Sequence, residues 1–233
     1  MQSEDFSTQE LKEFYYFLNK ISNFEKISQI QSDSIIFILW GSIFMIASVS
    51  ETFLNLTTGS KSTIFIWITA IFFGGLLTIT IENQTTFLSN KKLNLKDPSI
   101  VLSTILVVVA IFVANFFHLS YLLFPTLSLI FFIFNLNPAQ SYAENNSEFI
   151  HSSITRFIPF SGFISSVVSI SFLLIGTNLI NHSSTFSPFD YANYESLIFS
   201  LIIGPVLIAS GLLNNKKIND YNRKLSVQLL KED

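Results

Sequence analysis

Hydrophobic positions in this chain gather into six long runs instead of recurring at the short periods of a soluble fold. About 20 consecutive apolar residues are what an α-helix needs to cross the ~30 Å hydrocarbon core of a bilayer. The runs predict membrane-spanning helices at about 34–54, 63–81, 99–117, 120–137, 158–180 and 191–213. From Ser99 to Asn137 the chain is apolar almost throughout. One helix of that length would reach roughly 58 Å, so two spans joined by a tight turn near 115–120 are expected. Asp97-Pro98 signals the start of the first of them, with Asp at the N-cap and Pro at the first helical position. Pro138 is expected to stop the second.

Ahead of the first run, residues 8–31 have the pattern of an amphipathic helix. Leu11, Phe14, Tyr15, Leu18, Ile21 and Phe24 fall on one face at spacings of three and four. Ser7 with Glu10 forms a capping box, and Phe6 with Leu11 a hydrophobic staple. Such a helix rests on the bilayer surface or on a partner protein, or it packs beneath its own bundle. Asp33 is expected to cap the first span. The fold class is therefore an all-α integral membrane protein of six transmembrane helices preceded by an amphipathic interfacial helix. Its parts are an N-terminal segment at 1–33, a bundle at 34–213 and a basic tail at 214–233.

Charge orients this layout. Lys12, Lys20 and Lys26 precede the first span; Lys91, Lys92 and Lys96 follow the second; Arg156 follows the fourth. Lys216, Lys217, Arg223, Lys224 and Lys231 follow the sixth, so of the 13 basic residues only Lys61 lies in an odd-numbered connection. By the positive-inside rule both termini are expected in the cytoplasm, in a cell membrane. Counting 99–137 as one span would break this agreement.

Composition supports the membrane. The chain is 49% hydrophobic and 12% charged, about half the charged fraction of a globular domain, and contains 26 Phe. Nothing in the net charge of −3 makes a basic face for nucleic acid. The lack of cysteine removes disulfides, thiolate metal sites and Cys nucleophiles. The polar opening segment places the first apolar run too far along for a cleavable signal peptide, so that span is expected to be retained.

Polar groups inside lipid are costly, so each is a candidate. Glu51, near the outer end of the first run, is expected to reach the headgroup layer and be solvated; the alternative is a protonation or cation site. Glu82 reads as a boundary residue, and Glu195 as an acid in the first turn of the sixth span, where it suits the helix N-terminus. Asn115 and His118 lie one turn apart and are expected to satisfy a tight hairpin, or else to bind a ligand. Asn135 and Asn178, with Ser165, Ser166, Ser169 and Ser171, give the fourth and fifth spans a polar streak, expected to pack helices together or to form a hydrophilic path. Gly74, Gly75, Gly204 and Pro205 are expected kinks, close contacts or hinges. Asn55 and Asn181 head glycosylation sequons on the outer side.

Several chemistries are missing. There is no H-E-x-x-H, no G-x-S-x-G and no phosphate-binding loop, and His151, His182 and His118 are too scattered for a metal site. No cofactor, no metal and no catalytic residue is expected. The layout resembles the membrane half of some ABC-type exporters in its topology, which implies a permease. The first expectation for function is a non-catalytic accessory, assembly or regulatory membrane subunit. The second is a permease subunit moving an apolar or amphiphilic substrate, and the third an intramembrane enzyme using Glu51 or His118. Expected partners are the lipid bilayer and a protein docking through the 1–33 helix or the 82–98 connection.

Overall fold

The computed structural model describes residues 8–58, 63–86, 98–116, 122–180 and 188–232. Side chains are described within these except at 8–21, 56, 58, 63–64, 83–86, 98–101, 103–104, 114–115, 176–180, 188–193 and 225–232. The described chain is all-helical, with helices α1 (Thr8–Thr58), α2 (Thr63–Thr86), α3 (Pro98–Phe116), α4 (Leu123–Asn145), α5 (Ser152–Ile180) and α6 (Pro188–Glu232). Five of them, all but α3, contain described segments long and apolar enough to cross a membrane.

The long apolar run divides into α3 and α4, and α3 starts at Pro98 as its Asp-Pro signal predicts. The turn between these helices, with His118, lies outside the described residues. So do the residues of the predicted N-terminal capping box before Thr8, Lys91, Lys92 and Lys96, and most of the loop holding Asn181 and His182.

Two expectations are corrected. Asp33 does not begin a helix, because α1 runs unbroken through it for 51 residues, about 76 Å at 1.5 Å per residue. Residues 8–31 thus belong to the same helix as the first apolar run instead of forming a separate interfacial helix. Nor does Pro138 end α4, which continues to Asn145. Tertiary packing overrides the local signals at both places. Ile27 and Ile30 of α1, Ala143 of α4, Phe149 and Ile150 of the α4–α5 turn, and Ile218 of α6 form one buried cluster, with Tyr142 and Tyr221 against it. Tyr142 donates its hydroxyl to Asp33 Oδ2 at 2.8 Å. Helix is retained on either side of Asp33 and Pro138 because those turns have something to pack on.

The helices neighbour one another in the order α2, α1, α6, α5, α4, α3, with α4 also touching α6. The central pair, α1 and α6, is antiparallel. A Cβ on Gly41 would meet the carbonyl of Gly204, and one on Gly211 would meet the carbonyl of Ser34. The buried residues Ile27, Ser34, Gly41 and Ser48 recur every seven positions, as do Ser196, Ile203 and Ser210. A seven-residue spacing keeps one stripe of each helix against its partner, and small residues on it let the backbones touch. Residues before Ser34 and after Gly211 consequently leave the pair at the same end.

That end is closed by polar contacts. Asn214 accepts the His151 backbone N–H at 2.8 Å and donates to Thr155 Oγ1 at 3.4 Å. Lys217 donates to the carbonyls of Ser147 and Ile150, each at 2.8 Å. The basic segment after 213 is therefore helix, and one of its lysines holds the α4–α5 turn. Arg156 and Glu144 form an exposed ion pair at 3.5 Å.

Candidate functional site

At the opposite end of the central pair the interior becomes polar. Glu51 is 1% exposed, and its Oε2 accepts the indole N–H of Trp67 on α2 at 2.6 Å. The expectation that Glu51 snorkels to the headgroups is overturned, because α2 and α6 cover it. Ser196 of α6 lies beside the same carboxylate. Trp40 supplies a second tie between α1 and α2 by donating to Thr78 Oγ1 at 3.0 Å, while Thr78 donates to the Gly74 carbonyl at 2.8 Å. Indole N–H groups in an apolar setting need such partners, and these two fasten α2, of which Gly74 is the one buried residue among those described.

Glu195 is also 1% exposed. It is not in the first helical turn as expected, because α6 starts at Pro188 and places it two turns inside. Neither of its carboxylate oxygens has a hydrogen-bond partner among the described residues, nor do the buried hydroxyls of Ser169, Ser200 and Ser210. No Lys, Arg or His among the described residues pairs with either carboxylate. An ionised carboxylate without donor or counter-ion is costly in so dry a place.

Helical spacing links these groups. Ser196 and Ser200 are four apart, and so are Glu195 and Phe199, so each pair shares a face. Phe199 meets Trp67 edge-on with centroids 6.3 Å apart, and Trp67 holds Glu51. Asn214 and Thr155 fix the register of α5 against α6. Two seven-residue repeats from that contact, up α5 and back along α6, stand Ser169 and Ser200, so these hydroxyls share a level. Aromatic rings cluster about Phe199: Phe44 to Phe199 at 5.4 Å, Trp67 to Phe124 at 5.2 Å, and Phe124 to Phe199 at 5.7 Å.

The other sequence candidates take different roles. Ser165 and Ser166 are buried as the streak implies, and Ser165 shares a 3.1 Å hydrogen bond with Ser128 of α4, but Ser171 faces outward. Gly162 sits in close approach to the Ser128 carbonyl and the Phe131 ring. Asn135 donates to the Phe131 carbonyl of its own helix at 2.8 Å and joins no site. Asn115 and Asn178 lie in α3 and α5 with side chains outside those described. Gly74 abuts Trp40 and Gly204 abuts Met45, so both are close contacts, whereas Gly75 has open space around its Cα. Pro205 is exposed inside a continuous α6. Trp67 as the Glu51 donor and Ser196, Ser200 and Ser210 on α6 were missed. The last three carry a readable signal, since they share the spacing of Ile203, Gly204 and Gly211.

Among the described residues the chain is all-helical, with five helices long and apolar enough to cross a membrane and two carboxylates buried near hydroxyls. The chain matches no protein-family model, no curated protein and no solved structure.

Proposed function

We propose that this chain is a permease subunit, a six-span bundle of the cell membrane that moves an apolar or amphiphilic substrate. The observation that carries this reading is the set of polar groups Glu195, Ser200, Ser210 and Ser169, buried in the bundle with no hydrogen-bond partners among the described residues. A bundle serving packing alone gains nothing from it, since each uncompensated polar group costs free energy in lipid. A translocation path, by contrast, requires polar groups that are left free to meet a substrate. In this reading α3 is the sixth span, and the ends of α1 and α6 that leave the bundle together lie in the cytoplasm, in keeping with their lysines. The chain itself performs no catalysis.

Reconstituted in liposomes, the chain should increase the flux of some members of a panel of fluorescent amphiphiles, either alone or with a co-purified ATPase. Ser200→Ile should block that flux without unfolding the protein. Equal flux through the variant and the parent would end this reading.

An accessory subunit is the second reading, and the apolar surface of α2 and α3 favours it. Phe65, Ile68, Phe72, Phe73, Ile105 and Phe112 are all exposed, a surface that suits neighbouring membrane helices as well as lipid. Native co-purification with other membrane subunits, without any flux in liposomes, would select it.

A further inference from the structure

We infer that the bundle consists of two three-helix units hinged at the Asn214 end, and that it opens between α5 and α6 at the Glu195 end. The hinge rests on the permease reading for its purpose and deepens it by naming the end where the path opens.

Each unit is tied internally. In the first, α1 and α6 touch backbone to backbone, since a Cβ on Gly41 would meet the Gly204 carbonyl and one on Gly211 the Ser34 carbonyl. The Trp67–Glu51 and Trp40–Thr78 hydrogen bonds fasten α2 to α1. In the second, Gly162 of α5 lies against the Ser128 carbonyl of α4, Ser128 and Ser165 share a hydrogen bond, and α3 packs on α4.

Between the units the two ends differ in kind. Among the described residues, every hydrogen bond that crosses from one unit to the other lies at one end. Tyr142 donates to Asp33, Asn214 engages the His151 amide and Thr155, and Lys217 donates to the Ser147 and Ile150 carbonyls. Toward the other end the described contacts across the units are apolar: Phe124 meets the rings of Trp67 at 5.2 Å and Phe199 at 5.7 Å. Hydrogen bonds are directional and hold a register, whereas apolar contacts can part without stranding a donor.

Buried polar groups favour opening at that apolar end. At 3.6 residues per turn, Glu195 lies roughly 40° around α6 from Lys217, which reaches the α4–α5 turn, and roughly 180° from Gly204, which abuts α1. It is 1% exposed, so it is covered from the side of α5 and not of α1. Ser169 stands two seven-residue repeats from Thr155 on α5, and so faces α6 as Thr155 does. Both Glu195 oxygens and the Ser169 hydroxyl are buried without a hydrogen-bond partner among the described residues. Closed, the seam holds these groups dry at a cost; parted, it lets water solvate them and narrows the gap between the two states. Ser210 is a similar orphan nearer the hinge, but it is a single hydroxyl against two carboxylate oxygens. Asn214 and Glu195 are separated by about 28 Å along α6, so a small rotation at the hinge is enlarged at the mouth.

Paired nitroxide labels in the full chain, held in lipid nanodiscs, test the hinge, and the absence of cysteine leaves no background labelling. Val49→Cys with Ile175→Cys spans α1 to α5 near the level of Glu195. Gln29→Cys with Ser153→Cys spans the same helices at the level of Asn214, and all four positions are exposed. Double electron–electron resonance should give a second, longer distance for the first pair and a single narrow one for the second. Glu195→Leu removes the cost of the dry carboxylate and should reduce the longer population by about fivefold or more. Ser169→Ala should shift it the same way by less, and it stands in should Glu195→Leu fail to fold.

A single narrow distance for both pairs would overturn the opening. A broader distribution for the Gln29 and Ser153 pair than for the Val49 and Ile175 pair would overturn the placement of the hinge. A longer population unchanged by Glu195→Leu and Ser169→Ala would overturn the buried polar groups as its cause. Because distances are read without substrate, a chain that opens but moves nothing loses the permease reading alone, and a chain that moves substrate without this opening loses the hinge alone.

Discussion

Replacing Gly41 with alanine should loosen the central helix pair. The added methyl would stand 2.6 Å from the Gly204 carbonyl oxygen, 2.8 Å from Ile208 Cγ1 and 3.2 Å from the Ile208 backbone nitrogen. Two of these three contacts are backbone, so no side-chain rotation relieves them, and α1 and α6 must separate by roughly 0.5–1 Å. A gap of that size forfeits about a quarter to a half of each van der Waals contact along the seam, and overpacking of this kind costs about 1–3 kcal/mol.

Alanine also favours helix over glycine by about 1 kcal/mol, which partly hides the clash. Gly75→Ala cancels that term, because Gly75 has nothing within 4 Å of a built Cβ and lies in a helix as well. The difference between the two variants is therefore the clash alone, about 1–3 kcal/mol against Gly41→Ala. Titrating the folded protein from mild detergent into dodecyl sulfate, with Trp67 emission and helical circular dichroism as readouts, gives both values. If the two variants agree within about 0.5 kcal/mol, the backbone contact between α1 and α6 is refuted.

Three further outcomes follow from contacts described above. Trp67→Phe removes the donor to a buried carboxylate and should destabilise the fold by about 1–3 kcal/mol in a dodecyl sulfate titration read by helical circular dichroism, whereas Glu51→Gln retains an acceptor and should cost less. Asn214→Ala frees the His151 amide and Thr155 hydroxyl, and should cost about 2 kcal/mol and speed hydrogen exchange at the His151 amide. In this cysteine-free chain, Ser128→Cys with Ser165→Cys places sulfurs where hydroxyls lie 3.1 Å apart. A mild oxidant should join them and shift gel mobility, while Ser128→Cys with the outward Ser171→Cys should stay reduced.

Much of the architecture was legible because a bilayer demands long apolar runs, and run length is a local property. Asp97-Pro98 marked the start of α3 because capping needs only neighbouring residues. Asp33 and Pro138 misled because the fate of those turns was decided elsewhere, by Ile218, Phe149 and Tyr142, which no local signal connects to them. Glu51 could be recognised as a polar residue in an apolar run, yet its burial depends on Trp67 and Ser196 across two interfaces. Its headgroup assignment failed for that reason. Glu195 was misplaced because the start of α6 was set three residues late, which turned an interior acid into a terminal one. The serine streak on α5 was visible, whereas its counterpart on α6 was hidden among Ile and Leu until the seven-residue spacing is considered.

The pairing of α1 with α6 also bears on how the protein is made. α1 leaves the ribosome before α6, and this main partner emerges only after α2, α3, α4 and α5. At about 5–20 residues per second the delay is on the order of ten seconds. Throughout it, the stripe of Ser34, Gly41 and Ser48 is open to any other helix in the membrane, including α1 of a neighbouring nascent chain. Glu51 is better protected, since Trp67 arrives with the next helix and can hold its carboxylate during the wait. Biogenesis thus has a provisional hairpin followed by a late closure, and translation interrupted before Pro188 leaves an orphaned small-residue stripe for membrane quality control to recognise.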